Sequence, residues 1–191
     1  MKHAVLIALM LALAACREEN ASQPQPVTMT EEAVGHYCQM HLLEHPGPKA
    51  QVHLTGQPHP LFFSQVRDAI AYQRMPEQSH LIAAIFVNDM AVAPSWQMTG
   101  ADNWISAAAA FYVVGSDAVG GMEAPELVPF ARAADADAFA AERGGQVLQL
   151  VDIPDAEVLA PVAVGDEDTD ARGAEADFAA RLRKLSQERQ D

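Results

Sequence analysis

The chain has 191 residues, with 12 Lys plus Arg against 26 Asp plus Glu and a formal net charge of −14. A balance this acidic argues against a protein of nucleic acid or of anionic lipid surfaces, because both repel it. Only two cysteines are present, Cys16 and Cys38. No disulfide framework can form if the first is committed elsewhere.

The chain opens MKHAVLIALMLALAAC. The apolar run over residues 4–15 fits the h-region of a signal peptide and falls short of the ~20 residues that span a bilayer. Leu13-Ala14-Ala15-Cys16 resembles a bacterial lipobox. On that reading residues 1–15 are a lipoprotein signal peptide, cut before Cys16, whose thiol and new amino group receive lipid. The alternative is an ordinary secretory signal with Cys16 placed there by chance. Arg17 follows where an aspartate would hold the protein at the inner membrane, so the outer membrane is favoured and the final membrane stays open. Lipidation of Cys16 leaves Cys38 as a lone thiol. In an oxidising compartment such a thiol must be buried, capped, paired with another protein or bound to metal.

Residues 16–30 are polar, hold two prolines and lack apolar periodicity, and read as a lipid-anchored flexible tether. The core then begins. Residues 51–55 alternate as a strand, 56–60 read as a turn, and 61–63 form a short apolar strand. Ser64 is a good N-cap for a helix over 64–75, which Pro76 stops. Residues 80–89 are strand-like. Residues 107–115 read as another strand, followed by a glycine-rich turn at 120–122 and a short strand at 127–130. Asp135 can cap a helix that Gly144-Gly145 ends, and 146–153 is the last strand. The order strand, turn, strand, helix, strand thus occurs twice. The expected fold class is α+β: two ββαβ units packed together, 31–105 and 106–160. An acidic, alanine-rich tail at 161–191 reads as disordered, although Phe178, Leu182 and Leu185 have helical spacing.

Residues 35–45, GHYCQMHLLEH, gather one cysteine, one methionine and three histidines. In an extended segment Cys38 and Met40 point to the same side, with His36 beside them. A thiolate and a thioether make half of a soft site, and soft sulfur donors select Cu(I) over Mg, Ca or Mn. Taken alone, Cys-x-Met is a weak pattern, since cysteine is also a small buried hydrophobe and methionine a gap-filler. Zinc fits poorly, for structural zinc takes four Cys or His ligands. Met122 follows two glycines in a turn where backbone can approach closely, so a site between the units could draw on both. His45, His59 and His80 read as solvated, His53 as one face of a strand, and Lys49 as a solubilising or docking residue. The loop with Trp96 and Trp104 reads as packed.

Three motifs in this order are specific: YCQMHLLEHPGPKAQVHL at 37–54, PLFFSQVRDAIAY at 60–72, and YVVGSDAVGGMEAPELVPF at 112–130. With the LAAC junction they make the chain resemble the NosL family, lipoproteins associated with nitrous oxide reductase. The resemblance covers most of residues 31–153. It implies two ββαβ units, a fold related to the small domain of organomercurial lyase, and delivery of Cu(I) to nitrous oxide reductase in the periplasm. It carries the ligand role onto Cys38, Met40 and Met122. His36 is the further candidate by spacing, which the motif does not settle. Many family members have glycine between the cysteine and methionine, where this chain has Gln39.

Three classes of function stand beside one another. A membrane-anchored Cu(I) chaperone, serving nitrous oxide reductase or its membrane maturation machinery, needs a soft and partly exposed site near its partners. A thiol-dependent enzyme related to organomercurial lyase needs thiols acting together with an acid, and one free thiol gives no catalytic set. A lipid-anchored interaction module would need only a buried cysteine. The expectation is the chaperone, not an enzyme, on the periplasmic face of a membrane.

Overall fold

The computed structural model describes residues 23–161. The signal peptide, Cys16 and all of the charged tail beyond Pro161 lie outside the described residues. Among the described residues the fold is mixed α+β, with two antiparallel sheets and three α-helices.

The first sheet holds β1 (Ala50–Leu54), β2 (Leu61–Phe63), β3 (Ile82–Val87) and β4 (Ile105–Ser106) in the order β2-β1-β3-β4. Helix α1 (Val66–Arg74) connects β2 to β3. The second sheet holds β5 (Phe111–Val114), β6 (Val128–Phe130) and β7 (Gln146–Gln149) in the order β6-β5-β7, with α2 (Ala133–Arg143) between β6 and β7. A short α3 (Asp155–Leu159) closes the described chain. Two strands, a helix and a strand therefore occur twice in order. The pairings are antiparallel, with Val52 opposite both Leu61 and Ile85, and Tyr112 opposite both Pro129 and Leu148.

β1 shows why the sheet sits where it does. Ala50, Val52 and Leu54 alternate onto the face under α1 and join one core with Phe63, Val66 and Ile70. That same cluster takes in Tyr112, Val114 and Leu127 of the second half and Val158 of α3, so the two halves share a core. The opposite, polar face of β1 is also buried. Gln51 brackets Val27 with both ends of its amide, at 2.9 and 3.1 Å, and His53 Nε2 lies 2.8 Å from Gln51 Oε1. Burial lowers the pKa of His53.

Several expectations need correction. The segment read as tether up to residue 30 enters the fold earlier, with Val27 held by Gln51 and Met29 buried beside Leu42. Ser64 does not cap α1. Gln65 occupies the N-cap position without a side-chain bond, and Ser64 faces elsewhere. Asp135 lies inside α2 rather than before it, where its carboxylate meets the Arg132 guanidinium at 2.7 and 2.8 Å in the first turn. The strand read over 107–115 shortens to β5, because Ala107 and Ala110 are buried in a turn whose Ala107 carbonyl takes the Tyr112 hydroxyl at 2.8 Å. The strand read over 146–153 ends at Gln149, where a 3-10 turn begins. β4 and α3 have no counterpart in the sequence reading. The tryptophan loop is packed, with Trp96 against Gly47 and Trp104 near Phe62.

Candidate metal centre

The Cys38 segment is not extended, which corrects the alternation argument. Residues 36–38 form a turn closed by an antiparallel bridge between Val34 and His41, and Gly35 bridges to Phe62 in parallel. Gly35 N donates to the Met40 carbonyl at 3.0 Å, and Gln39 N donates to the Gly35 carbonyl at 2.9 Å. The turn needs a left-handed residue, and Gln39 supplies it at φ 57°. That conformation is costly for a residue with a Cβ. The Gln39 amide offsets part of the cost by donating to the carbonyls of His36 at 2.7 Å and Gly35 at 3.2 Å. A glycine at this position would adopt the angle freely, which gives the glycine of the resemblance its physical reason.

The turn sets the thiol. A Cβ on Gly35 would lie 2.4 Å from Cys38 Sγ, so only glycine lets the sulfur fold back over the chain. Cys38 Sγ is half-buried, 3.7 Å from Ser64 Oγ and 4.0 Å from the Met40 carbonyl oxygen. Met40 is 42% exposed. His36 belongs to an aromatic cluster. Its ring packs among Tyr37, Phe63 and Tyr72, with centroids 5.3 to 5.6 Å apart.

The Gly-Gly-Met turn approaches from the second half. Its neck is a bridge between Val119 and Pro125, and Gly120 N donates to the Ala124 carbonyl at 2.9 Å. Neither glycine has a positive φ; both are needed for space. A Cβ on Gly120 would lie 2.5 Å from Glu126 Oε2 and 2.9 Å from Gln65 Cδ. One on Gly121 would lie 2.6 Å from His45 Cβ. Met122 is then presented 41% exposed, at the end of a backbone pressed against the first half.

Both motifs are seated on one strand-to-helix junction. Ser64 touches the Cys38 sulfur, and the next residue, Gln65, accepts the Met122 backbone N–H through Oε1. His45 adds a second clasp, its Nδ1 2.9 Å from the Gly121 carbonyl oxygen. His45 is thus half-buried and engaged rather than solvated. The junction is held from below by Glu126. Its carboxylate accepts the N–H groups of Val66 at 3.3 Å, Arg67 at 3.0 Å and Leu127 at 2.8 Å. Burial pushes the Glu126 carboxyl up to about 8, against the backbone donors that favour its charged form. Lys49, expected at the surface, is buried, with Nζ donating to the carbonyls of Pro46 and Gly47. Burial brings its pKa down to about 8.

A family profile described as NosL matches residues 26–158. The chain belongs to the NosL family. The copper-binding lipoprotein NosL of Achromobacter cycloclastes is 57% identical over 183 residues, covering 95% of this chain and 93% of its own. The copper-binding lipoprotein NosL of Stutzerimonas stutzeri is 33% identical over 154 residues, covering 80% and 78%. The crystal structure of the copper chaperone NosL from Shewanella denitrificans superposes with a TM-score of 0.65 at 29% identity, covering 69% of this chain and 97% of that one. The NosL match begins at Pro26, beside the Val27 that Gln51 grips, and ends in α3, so it takes in every element that builds the centre.

Ser64, Gln65, His45 and Glu126 were not singled out as site residues by sequence. Ser64 and Gln65 lie inside the PLFFSQVRDAIAY motif, which was the available signal. Glu126 and His45 lie inside the other two motifs.

Proposed function

We propose that the protein is a copper chaperone that carries one Cu(I) on Cys38, Met40 and Met122 and hands it on for assembly of the copper centres of nitrous oxide reductase. The observation that carries this reading is the seating of the Cys38 turn and the Gly-Gly-Met turn on adjacent residues, Ser64 and Gln65. Kinship with proteins described as copper-binding lipoproteins and as a copper chaperone supports it. The donor chemistry supports the oxidation state: one thiolate and two thioethers are soft ligands, which favour Cu(I). Among the described residues no three side chains of His, Cys, Asp or Glu form a metal cluster, and the reading takes its second and third donors from methionine. His36 stands as the further candidate, although its ring is committed to an aromatic cluster.

The rest of the reading follows from delivery. A low-coordinate sulfur site releases its ion by stepwise ligand exchange, and both thioethers are open to solvent, where a partner's donor can enter. The two ββαβ units, 31–105 and 106–160, are the two halves that meet at the ion. Cys16 carries the lipid that holds the domain on the periplasmic face of a membrane, the outer one being favoured. The direct acceptor is nitrous oxide reductase or the membrane machinery that matures it. The protein acts by binding and transfer, not by catalysis.

The test is a Cu(I) titration of the mature chain against a strong competitor, with copper-edge X-ray absorption of the complex. One copper per chain with sulfur ligands is expected. Weak binding, or a first shell of nitrogen and oxygen alone, overturns the reading.

A further inference from the structure

Gln65 is 0% exposed, stands at the N-cap of α1 and makes no capping bond there. Position and residue do not match by ordinary helix chemistry, which prefers Ser, Thr, Asp or Asn at that place. The amide is also poorly served. Oε1 accepts the Met122 N–H, whereas the buried Nε2 has no hydrogen-bond partner. A buried donor left unpaired costs stability, so the amide is not explained by the packing of the fold alone. What Gln65 does is local. Its Cδ lies against Gly120, its Oε1 holds the backbone of Met122, and Ser64 beside it touches the Cys38 sulfur.

We infer that Gln65 is a positioning residue of the metal site, fixing the Met122 thioether relative to the Cys38 thiolate by holding the Gly120-Gly121-Met122 backbone on the start of α1. The inference rests on the proposed reading that Met122 is a ligand. Gln65 itself donates nothing to the ion. The glycines make the seating possible, since a side chain on Gly120 would strike the amide.

Two variants test this. Gln65→Leu removes the acceptor and the unpaired donor together without adding a sulfur. It is expected to fold, and to weaken Cu(I) binding by about 10- to 100-fold, the usual effect of losing a residue that orients a ligand. X-ray absorption should show the copper losing one sulfur. Gly120→Ala keeps the Gln65 amide but pushes the turn off both it and the Glu126 carboxylate, and the same loss of one sulfur is expected. Combining Gln65→Leu with Met122→Leu should weaken binding no further than Met122→Leu alone, because both remove the same donor. A folded Gln65→Leu variant with parental affinity and an unchanged sulfur count overturns the inference. So does unfolding of both Gln65→Leu and Gly120→Ala, which would make the junction structural. If Met122→Leu weakens binding and Gln65→Leu does not, this inference alone falls. If Met122→Leu leaves affinity unchanged, Met122 is no ligand, and the reading of the site falls with it.

Discussion

Glu126 Oε1 accepts the backbone N–H of Arg67 at 3.0 Å, so a carboxylate from the second half caps the helix of the first. Val66 N donates to the other oxygen at 3.3 Å. The orphan amides of a helix start are ordinarily met by a residue adjoining in sequence. Here they are met across the interface, just below the candidate metal centre, and the interface and the helix stand or fall together.

The Glu126 carboxyl predicts a pH dependence of stability. Its folded value, about 8, lies above its ordinary 4.5. A group raised in this way contributes stability that is fully present below about 4.5 and lost as pH rises toward 8, with a slope of up to about 1.4 kcal/mol per pH unit. Lys49 is lowered from 10.5 to about 8. Its contribution is present above 10.5 and lost as pH falls toward 8, outside the Glu126 window. Denaturant unfolding of the parent and of Glu126→Gln from pH 4.5 to 8 should show the parent losing ground to the variant as pH rises. Parallel curves would mean that the backbone donors keep the carboxylate charged throughout.

Arg67 and Arg74 make a second prediction. Arg67 Nε donates to the Glu157 carbonyl at 3.0 Å and its terminal nitrogen to the Ala160 carbonyl. Arg74 donates to the carbonyls of Ile153 at 2.7 Å and Leu150 at 2.9 Å and pairs with Asp155. One face of α1 therefore clamps residues 150–160 by their backbone. Arg67→Met should cost about 1.5–3 kcal/mol for each charge-assisted bond left without its donor. It should also expose α3 to protease before the rest of the domain opens, as limited proteolysis would detect.

Gln39 gives a third. At φ 57° it stores strain that glycine would relieve, while its amide makes two bonds that glycine would lose. Gln39→Gly should change stability by less than about 1 kcal/mol, since these effects oppose. Gln39→Val keeps the strain and loses the bonds. It should destabilise the turn by about 1–3 kcal/mol and weaken metal binding with it. Thermal melts and Cu(I) titrations should rank Gln39→Gly above Gln39→Val, and an equal or reversed ranking would mean that position 39 is not left-handed.

The sequence carried the element order, and it did so for physical reasons. Alternation in 51–55 and helical spacing of Val66, Ala69 and Ile70 are local patterns, and local patterns survive folding. Ser64 does not cap α1, because the carboxylate that meets the first amides of α1 comes from Glu126, far away in the chain. The Cys38 turn was misread as extended because its decisive feature is a left-handed glutamine, which no spacing rule reveals. Gln65 and His45 were invisible as site residues for a similar reason: each acts on a backbone atom of the distant Gly121-Met122 pair. What a side chain does to remote backbone leaves no periodicity behind.

Lipidation at Cys16 is a fourth prediction, motivated by the LAAC junction. Mass spectrometry of the mature N-terminal peptide should find acyl groups on a chain that begins at Cys16. A mature chain beginning elsewhere and carrying no lipid would sink the idea.

The last prediction concerns the ligands. Cys38 brings a full negative charge to the cation, whereas each thioether brings a dipole. Cys38→Ser exchanges a soft donor for a hard one and should nearly abolish Cu(I) binding. Met40→Leu and Met122→Leu keep similar volume, and both methionines are exposed, so neither variant should unfold the domain. Each should weaken binding by less than the cysteine change. Binding should fall as pH falls, because protons compete for the thiolate, and zinc should bind far more weakly than Cu(I). Met122→Leu is the decisive case. The Gly121-Met122 backbone is tied to the first half by His45 and Gln65, so reduced affinity in a folded Met122→Leu protein would establish one site made by both halves. Unchanged affinity would confine the site to residues 36–45, and the third donor would have to be sought at His36 or His41.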